Sequence, residues 1–305
     1  MPPLIAHLRG EERVDLVILL SHPGLPQDLR LVAEVPGIDV CLSAHTHNRL
    51  YRPVRVGDSV IVQSGCHGSF LGRLDLSIEG GKVVGYRHRL LEVGMDVAPD
   101  PAVEALVGTA LAPYTAELAE VVGVTGTALA RATGLEATMD NLLLQALCAH
   151  TGAQLAFANG WRYGAPVPPG PITLNDLYNI VPMDPPVSTV DLTGEELVAM
   201  LEENLERTFA PDPYGQRGGY VKRCLGLRAY VKLENPAGER IQQLFVGDEE
   251  VRPGRIYGAA FVTEQGVPSK YGHHHGAQPV HAVEALRAYV RRPRPVRAEL
   301  TDLAT

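Results

Sequence analysis

The chain lacks an apolar run approaching the roughly 18 residues of a transmembrane helix. Residues 1–6 also lack the basic segment and the long apolar segment of a secretory signal peptide. Basic residues are not in excess, since 27 lysines and arginines are outnumbered by 35 aspartates and glutamates and the net charge is −8. These absences argue against a membrane-spanning protein and against a nucleic-acid-binding surface, which needs a basic face.

Cysteine is also scarce, and its four positions contain no Cys-x-x-Cys pair: Cys41, Cys66, Cys148 and Cys224. Scattered cysteines do not indicate a disulfide framework or a zinc-binding motif, and we expect them to pack as small apolar side chains. The 305 residues are enough to bury a sizeable core, and two domains are the expected division.

The first part of the chain has a pattern typical of a β-α-β unit. Residues 15–20 and 38–42 have the composition of buried strands, and a helix-compatible segment, 27–34, lies between them. Further strands are expected at 59–63, 71–78 and 82–93, the last two joined by a Gly-Gly turn. Ligands of α/β sheets bind beyond the strand ends, so residues just after these strands are candidates for a site.

Histidines follow both strands of the predicted β-α-β unit. His22 comes after the first strand, and His45 and His47 come after the second. Because side chains alternate along a strand, both rings of a His-x-His pair are expected to point the same way. Three imidazoles at one sheet edge are suited to metal binding, whereas a single turn histidine is more often held by backbone groups. The residues alone leave both interpretations open.

Residues 20–24, Leu-Ser-His-Pro-Gly, and 44–47, Ala-His-Thr-His, resemble the L-S-H-x-G and G-H-x-H blocks of calcineurin-like metallophosphoesterases. The likeness is to the 5′-nucleotidase group and its relative, the sulfate thiohydrolase of sulfur oxidation (Sox). The resemblance implies that His22 and His45 bind one ion of a dinuclear centre, and that His47 binds the other. It also implies manganese or zinc as the divalent ions.

The earlier blocks of this family have no counterpart in the sequence. They contain Asp-x-His, Gly-Asp-x-x-Asp and Gly-Asn-His-Glu, and none of these occurs in residues 1–13. The family's bridging aspartate, asparagine ligand and catalytic histidine are therefore not assigned, and the catalytic residue stays unknown. On this resemblance the chain corresponds to the C-terminal two-thirds of such an enzyme. We expect it to be weakly active or inactive alone, unless a homodimer or a complementing N-terminal chain supplies the missing ligands.

A second resemblance covers approximately residues 138–289. Residues 170–177 and 190–197 are similar to the G-x-I-T-x-x-D-L and L-T-G-x-x-L blocks of the 5′-nucleotidase C-terminal substrate domain. The expected fold is α/β (α+β): the C-terminal part of a metallophosphoesterase β-sandwich followed by this substrate domain. The expected divisions are a partial metallophosphoesterase-like domain at 1–95, a linker helix region at 96–125 and the substrate domain at 126–305.

Local signals within the second domain are also informative. The apolar segment 139–148 predicts a buried helix, with Gly152 where its C-cap belongs. Thr193 and Glu196 have the spacing of a capping box. Three consecutive histidines, 273–275, cannot all face one ion from a rigid loop, and we interpret them as part of a mobile loop.

Arg162 falls at the family position that binds the anionic group of the substrate. A planar guanidinium donates two parallel hydrogen bonds to a tetrahedral oxyanion, although a surface salt bridge is the simpler alternative. Asn159, Gly160 and Trp161 precede it and complete the predicted substrate-binding segment. Trp161 either flanks the ligand or packs in the core.

The two aromatic rings that clamp a nucleobase in family nucleotidases are not found at the expected places, in residues 178–186 and 264–271. Residues 212–219 are closer to the Sox version. The resemblance therefore implies a metal-dependent hydrolase acting on nucleotide-like phosphate esters through a dinuclear-metal-activated water. The alternatives are a Sox-type sulfate thiohydrolase, a mononuclear zinc site of His22, His45 and His47, or a non-catalytic ligand-binding fragment. The expected partner is a small anionic phosphate or sulfate ester, with no nucleic acid and no membrane; members of this family are often exported.

Overall fold

The computed structural model describes residues 1–131, 134–161, 164–217 and 221–300. The chain forms two compact units. The N-terminal unit comprises residues 1–104 and 211–218, and the C-terminal unit comprises residues 105–210 and 219–305. Within the described ranges, no helix has both the length and the apolar character needed to cross a bilayer.

The N-terminal unit is built on a small sheet. Its elements are α1 (Pro2–Gly10), β1 (Ile18–Leu20), α2 (Leu25–Glu34), β2 (Val40–Leu42), β3 (Val54–Val56), β4 (Ser59–Val62), β5 (Phe70–Glu79) and β6 (Lys82–Glu92), with a 3-10 turn at Pro213–Gly215. The sheet has the order β1-β2-β4-β3, in which β1, β2 and β4 are parallel and β3 is antiparallel to β4. The predicted β-α-β unit is therefore confirmed as β1, α2 and β2.

The two faces of this sheet are covered differently. Helices α1 and α2 bury one face, where Ile5, Val32, Cys41 and Ile61 belong to one apolar cluster. On the opposite face, which we call the open face, Val40, Val60 and Val62 are buried, whereas Leu20 is 77% exposed. Ile18 and Leu42 are exposed as well. Strand β1 lies at one edge of the sheet.

Strands β5 and β6 form a long antiparallel hairpin. Phe70 pairs with Glu92 at one end and Glu79 pairs with Lys82 at the other. The turn residues Gly80 and Gly81 have φ values of 56° and 72°, in the left-handed region that glycine adopts without strain. The Gly-Gly signal in the sequence therefore predicted this hairpin correctly.

The C-terminal unit mixes sheets and helices. Its elements are α4 (Thr115–Leu118), β7 (Val121–Thr125), α5 (Thr138–Thr151), β8 (Leu155–Ala158), β9 (Gly170–Thr173), α6 (Leu174–Ile180), β10 (Pro186–Thr193), α7 (Gly194–Phe209), β11 (Arg223–Leu225), β12 (Leu227–Val231), β13 (Ile241–Val246), β14 (Glu249–Glu250), β15 (Ile256–Phe261), β16 (His273–His281) and α8 (Ala282–Val290). Helix α3 (Pro101–Leu111) precedes them and crosses the unit boundary. The main sheet has the order β11-β8-β15-β10-β16.

Side-chain alternation along β8 divides the core of this unit into two clusters. Ala156 and Ala158 belong to the cluster that contains α5, α6 and α8, whereas Leu155 and Phe157 belong to the cluster that contains α7. Since successive residues of a strand point to opposite faces, the main sheet has one apolar cluster on each side. Helix α5 is buried along much of its length, as its apolar composition predicted.

Both helix-end predictions are confirmed. Gly152 caps α5 with a left-handed φ of 75°. The Thr193 hydroxyl accepts from the Glu196 amide, and the Glu196 carboxylate accepts from the Thr193 amide at 2.9 Å, so the capping box of α7 is complete.

The prediction of a mobile loop at residues 273–275 is wrong. These histidines begin strand β16, whose residue His273 pairs with Asp191 of β10. The Nδ1 atom of His274 lies 3.0 Å from an Asp191 carboxylate oxygen. The three histidines are exposed, and the strand pairing is irregular here, since the register to β10 shifts between His273 and Gly276 and His274 has a φ of 53°.

Candidate metal centre

His22 lies at the turn between β1 and α2. The amide of Ser21 donates to the carbonyl of Leu42, and the Ser21 hydroxyl donates to the buried carboxylate of Asp28 at 2.5 Å. Gly24 follows with a φ of 125°, and a Cβ there would lie 2.7 Å from the Gln27 side chain and 2.8 Å from that of Thr46. Only glycine fits this turn, which fixes the direction in which the chain leaves β1.

His45 and His47 do not lie on a strand, so the argument from strand alternation is wrong. Strand β2 ends at Leu42, and the two histidines have left-handed φ values of 69° and 57°. A non-glycine residue in this region costs of order 1–3 kcal/mol and persists only where the surroundings enforce it. Backbone strain of this kind is concentrated at functional sites.

Gln63 provides much of that enforcement. Its side chain is 2% exposed, and its Nε2 donates to the Ala44 carbonyl at 2.6 Å and to the Ser43 hydroxyl at 3.1 Å. Its Oε1 accepts from the Asn48 amide and from the Thr46 hydroxyl. One buried amide therefore binds residues on both sides of the two histidines and holds the loop in its strained conformation.

The histidine rings form two pairs rather than one group. The His22 and His45 ring centroids are 5.2 Å apart, and those of His47 and His67 are 5.5 Å apart. The positive φ values of His45 and His47 direct the rings of one His-x-His motif into different pairs. Within the described ranges, His22, His45 and His47 are not a group whose ligand atoms all lie within 4.8 Å of one another.

Both pairs line one cavity of about 620 Å³ in the N-terminal unit, which we call the histidine cavity. Its walls are the open face of the sheet and residues of the β5–β6 hairpin, and its imidazole and thiol groups are His22, His45, His47, Cys66, His67 and His88. His88 is on β6, and neither of its buried ring nitrogens has a hydrogen-bond partner within the described ranges. The cavity is thus apolar at its walls and rich in nitrogen ligands.

Cys66 and His67 were not predicted as site residues. Their ligand atoms and that of His47 all lie within 4.8 Å of one another. Burial raises the pKa of Cys41 to about 12 and that of Cys148 to about 11, so those thiols match the expected small apolar packing. The sequence signal that could have indicated them is the segment Gly65-Cys66-His67-Gly68, in which a thiol and an imidazole lie between two glycines. In the structure both glycines have positive φ.

The predicted substrate-binding segment lies in the C-terminal unit, at the end of β8. Asn159 follows the strand directly, and its carbonyl accepts from the Trp161 amide at 2.8 Å. Gly160 is buried and Trp161 is partly buried against the apolar cluster of α5. Arg162 lies outside the described residues, so its role stays a prediction.

A buried ionic cluster is packed beside Trp161. Asp140 is fully buried and accepts from the guanidinium of Arg131 at 2.7 Å and from that of Arg223 at 3.1 Å. The Arg131 guanidinium carbon lies 5.8 Å from the Trp161 ring centroid, a cation–π contact. Sequence reasoning missed this cluster, although Asp140 stands out within the apolar segment of α5.

The sequence profile of the family described as "5′-nucleotidase, C-terminal domain" matches residues 114–263. The chain is 31% identical to a solved structure of the sulfate thiohydrolase SoxB of Thermus thermophilus, with a TM-score of 0.90 over 99% of this chain and 56% of that one. Residues 114–263 therefore belong to the 5′-nucleotidase C-terminal domain family. This result agrees with the predicted α/β fold, a metallophosphoesterase-type unit followed by a 5′-nucleotidase-type substrate domain.

Other proteins are similar to most of the chain as well. The trifunctional nucleotide phosphoesterase protein YfkN of Bacillus subtilis is 28% identical over 253 residues, which are 78% of this chain and 17% of that protein. A 5′-nucleotidase precursor from Thermus thermophilus shares the fold, with a TM-score of 0.87 at 22% identity, over 99% of this chain and 66% of that one. The chain spans 48% of one curated relative, Protein 5NUC of Lutzomyia longipalpis.

Proposed function

We propose that the protein is a metal-dependent hydrolase that acts on nucleotide-like phosphate esters. The observation that carries this proposal is the histidine cavity, in which His22, His45 and His47 lie on strained or sterically restricted turns of the N-terminal unit. Imidazole nitrogens are common ligands of zinc and of other late first-row metal ions, and the donor set therefore fits a divalent ion. The relatives support the reaction class, since they include nucleotide phosphoesterases and a metallophosphoesterase, YunD of Bacillus subtilis.

The geometry supports a separate role for each histidine pair. His22 and His45 would hold one ion, and His47 would hold a second ion. When bound, such ions lower the pKa of a coordinated water and stabilise the charge that develops on the oxygens of the attacked phosphate group. Gln63 orients the loop that carries two of these ligands, so it is a positioning residue.

The C-terminal unit would supply substrate recognition. Arg162 is proposed to bind the anionic group, with Asn159, Gly160 and Trp161 beside it. A small anion rather than a polymer is the proposed ligand, because the chain is acidic overall. A complementing N-terminal chain or a second copy of this chain is the proposed source of any carboxylate ligand that the two ions require.

One observation favours a second candidate function, sulfate thiohydrolysis of the Sox type. SoxB is 31% identical to this chain, whereas the solved 5′-nucleotidase precursor of the same genus is 22% identical. The missing nucleobase clamp at residues 178–186 and 264–271 points in the same direction. A non-catalytic ligand-binding fragment is the third possibility.

The test compares substrates with the chain loaded with manganese or zinc. Hydrolysis of AMP, of an aryl phosphate ester and of a protein S-thiosulfonate is measured for the wild type and for His45→Asn. The control is His150→Ala, which alters an exposed histidine on α5 of the C-terminal unit. We expect phosphate-ester hydrolysis that is weak for the chain alone and stronger with a complementing N-terminal segment, and that His45→Asn abolishes and His150→Ala leaves unchanged.

Two results would change this conclusion. Turnover of the thiosulfonate alone would select the Sox-type function. If AMP binds by calorimetry but no substrate is turned over, even with a complementing N-terminal segment of a relative, the chain is a ligand-binding fragment and the proposal is wrong.

A further inference from the structure

We propose that His47, Cys66 and His67 form a three-ligand site for a soft divalent ion, with zinc as the occupant. The site has two imidazole nitrogens and one thiolate sulfur. This inference deepens the proposed function, because His47 is the residue assigned above to the second ion. It adds two ligands that neither the family resemblance nor the sequence pattern assigned.

The spacing of the ligand atoms fits one ion. The Sγ atom of Cys66 lies 3.5 Å from Nδ1 of His67, and the three ligand atoms of the group all lie within 4.8 Å of one another. Two ligands on a tetrahedral zinc, at Zn–S of about 2.3 Å and Zn–N of about 2.0–2.1 Å, are about 3.5 Å apart. Closure of the group around an ion therefore needs only small side-chain rotations.

The backbone presents these groups from two strained loops. His47 and His67 have left-handed φ values of 57° and 58°, and their rings meet edge to face. Gly65 and Gly68 flank the second loop with φ values of 75° and 69°. A hydrogen bond between Cys66 and His67 would explain only the contact between those two residues. A shared ion would also explain why His47, on the other loop, lies beside them.

Cys66 differs from the other cysteines in ways that favour ligation. It lines the histidine cavity beside His47 and His67, whereas burial raises the pKa of Cys41 and Cys224 to about 12 and that of Cys148 to about 11. When zinc binds, the Cys66 S–H bond breaks, the Zn–S bond forms and the proton passes to the buffer. A thiolate also selects a soft ion over magnesium or calcium.

Three protein ligands leave a coordination position open. Structural zinc sites have four protein ligands, whereas catalytic sites keep one position for water or substrate. His47, Cys66 and His67 line the same cavity as His22 and His45. The site is therefore suited to hold an exchangeable water beside the other histidine pair.

Cobalt(II) provides the test, because a cobalt–thiolate bond gives a charge-transfer absorption in the near ultraviolet. The tag-free full chain is titrated with cobalt, and zinc affinity is then measured by competition. We expect one thiolate-bound cobalt per wild-type chain. Cys66→Ser should remove the band, and His67→Asn should weaken zinc binding by at least about tenfold, since losing an outer-shell partner alone costs that much.

The matched controls are Cys148→Ser and His150→Ala, which should keep the band and the affinity. A second measurement on the wild type does not depend on variant folding: zinc should slow alkylation of Cys66 and leave that of Cys148 unchanged. The proposal would be overturned if the wild type lacked the cobalt–thiolate band or if the band persisted in Cys66→Ser. It would also be overturned if zinc did not change the rate of Cys66 alkylation.

These outcomes are separable from failure of the proposed function. His45→Asn should abolish hydrolysis yet keep the cobalt–thiolate band, because His45 is outside this group. A chain that shows the band but hydrolyses nothing retains the metal site and loses the hydrolase assignment. A chain that hydrolyses phosphate esters without the band retains the hydrolase assignment and loses this site.

Discussion

Replacement of Gln63 by leucine should both destabilise the N-terminal unit and weaken metal binding. Leucine fills a similar space but cannot donate to Ser43 and Ala44 or accept from Thr46 and Asn48. Ser43, at 8% exposure, is buried like Gln63. Without the Gln63 amide, the Ser43 hydroxyl and the Ala44 carbonyl each lose a hydrogen-bond donor. At about 1–2 kcal/mol for each stranded acceptor, in the lower part of the usual range, the loss of the two donated bonds predicts about 2–4 kcal/mol.

Hydrogen–deuterium exchange with peptide resolution is the appropriate assay, because it isolates the loop from the rest of the chain. The amides of residues 43–50 should exchange about 30- to 1,000-fold faster in Gln63→Leu, which corresponds to that free-energy range. Zinc affinity should fall about 10- to 100-fold, as for other outer-shell changes. Gln242→Leu is the matched control, because this exposed glutamine makes one side-chain bond, to the Glu239 carbonyl.

The assigned role of Gln63 would be refuted if Gln63→Leu lowered the opening free energy of this loop by less than about 0.5 kcal/mol, the usual range for surface substitutions. Such a result would mean that the left-handed backbone at His45 and His47 is maintained by something other than this side chain. Unchanged exchange with weakened zinc binding would instead indicate that Gln63 contacts the bound ion directly rather than acting through the loop.

Three further predictions concern a turn, a cap and a buried lysine. Gly24→Ala should destabilise the N-terminal unit by more than about 1 kcal/mol in urea unfolding, because its Cβ would meet Gln27 and Thr46; Gly10→Ala, with open space around it, is the control. Thr193→Ala should cost about 1 kcal/mol by loss of the α7 cap, and Thr193→Ser should restore most of it; equal stabilities would contradict the role of the cap. Burial lowers the pKa of Lys222 from 10.5 to about 8, and its ammonium donates to the Gln265 and Gly266 carbonyls. Between these pH values the unfolded chain binds more protons, so stability should rise with pH by up to about 1.4 kcal/mol per unit; a slope unchanged in Lys222→Met would refute this.

Local signals in the sequence predicted much of the fold. The β1–α2–β2 order, the Gly80-Gly81 hairpin and the Thr193 capping box each depend on residues close together in the chain. Periodicity and cap chemistry act over a few residues, so they are visible before folding. The placement of three histidines in one cavity was also predictable, because each follows a strand of the same sheet.

The details of the site were not predictable, because they depend on contacts between distant segments. Gln63 has no motif of its own, and only its bonds across the sheet show that it holds the His45 loop. Cys66 matched a small apolar residue by composition, and the turn after β2 overrode the strand alternation assumed for His45 and His47. The histidines at 273–275 were misassigned because strand pairing to β10 is non-local.

The location of Trp161 determines what optical spectroscopy can report. It is the only tryptophan of the chain, it belongs to the C-terminal unit, and it contacts the Arg131 guanidinium. Intrinsic tryptophan emission is therefore a reporter of the C-terminal unit. Circular dichroism averages over the whole backbone, so an emission transition that does not coincide with the dichroism transition would show that the two units unfold as separate cooperative systems.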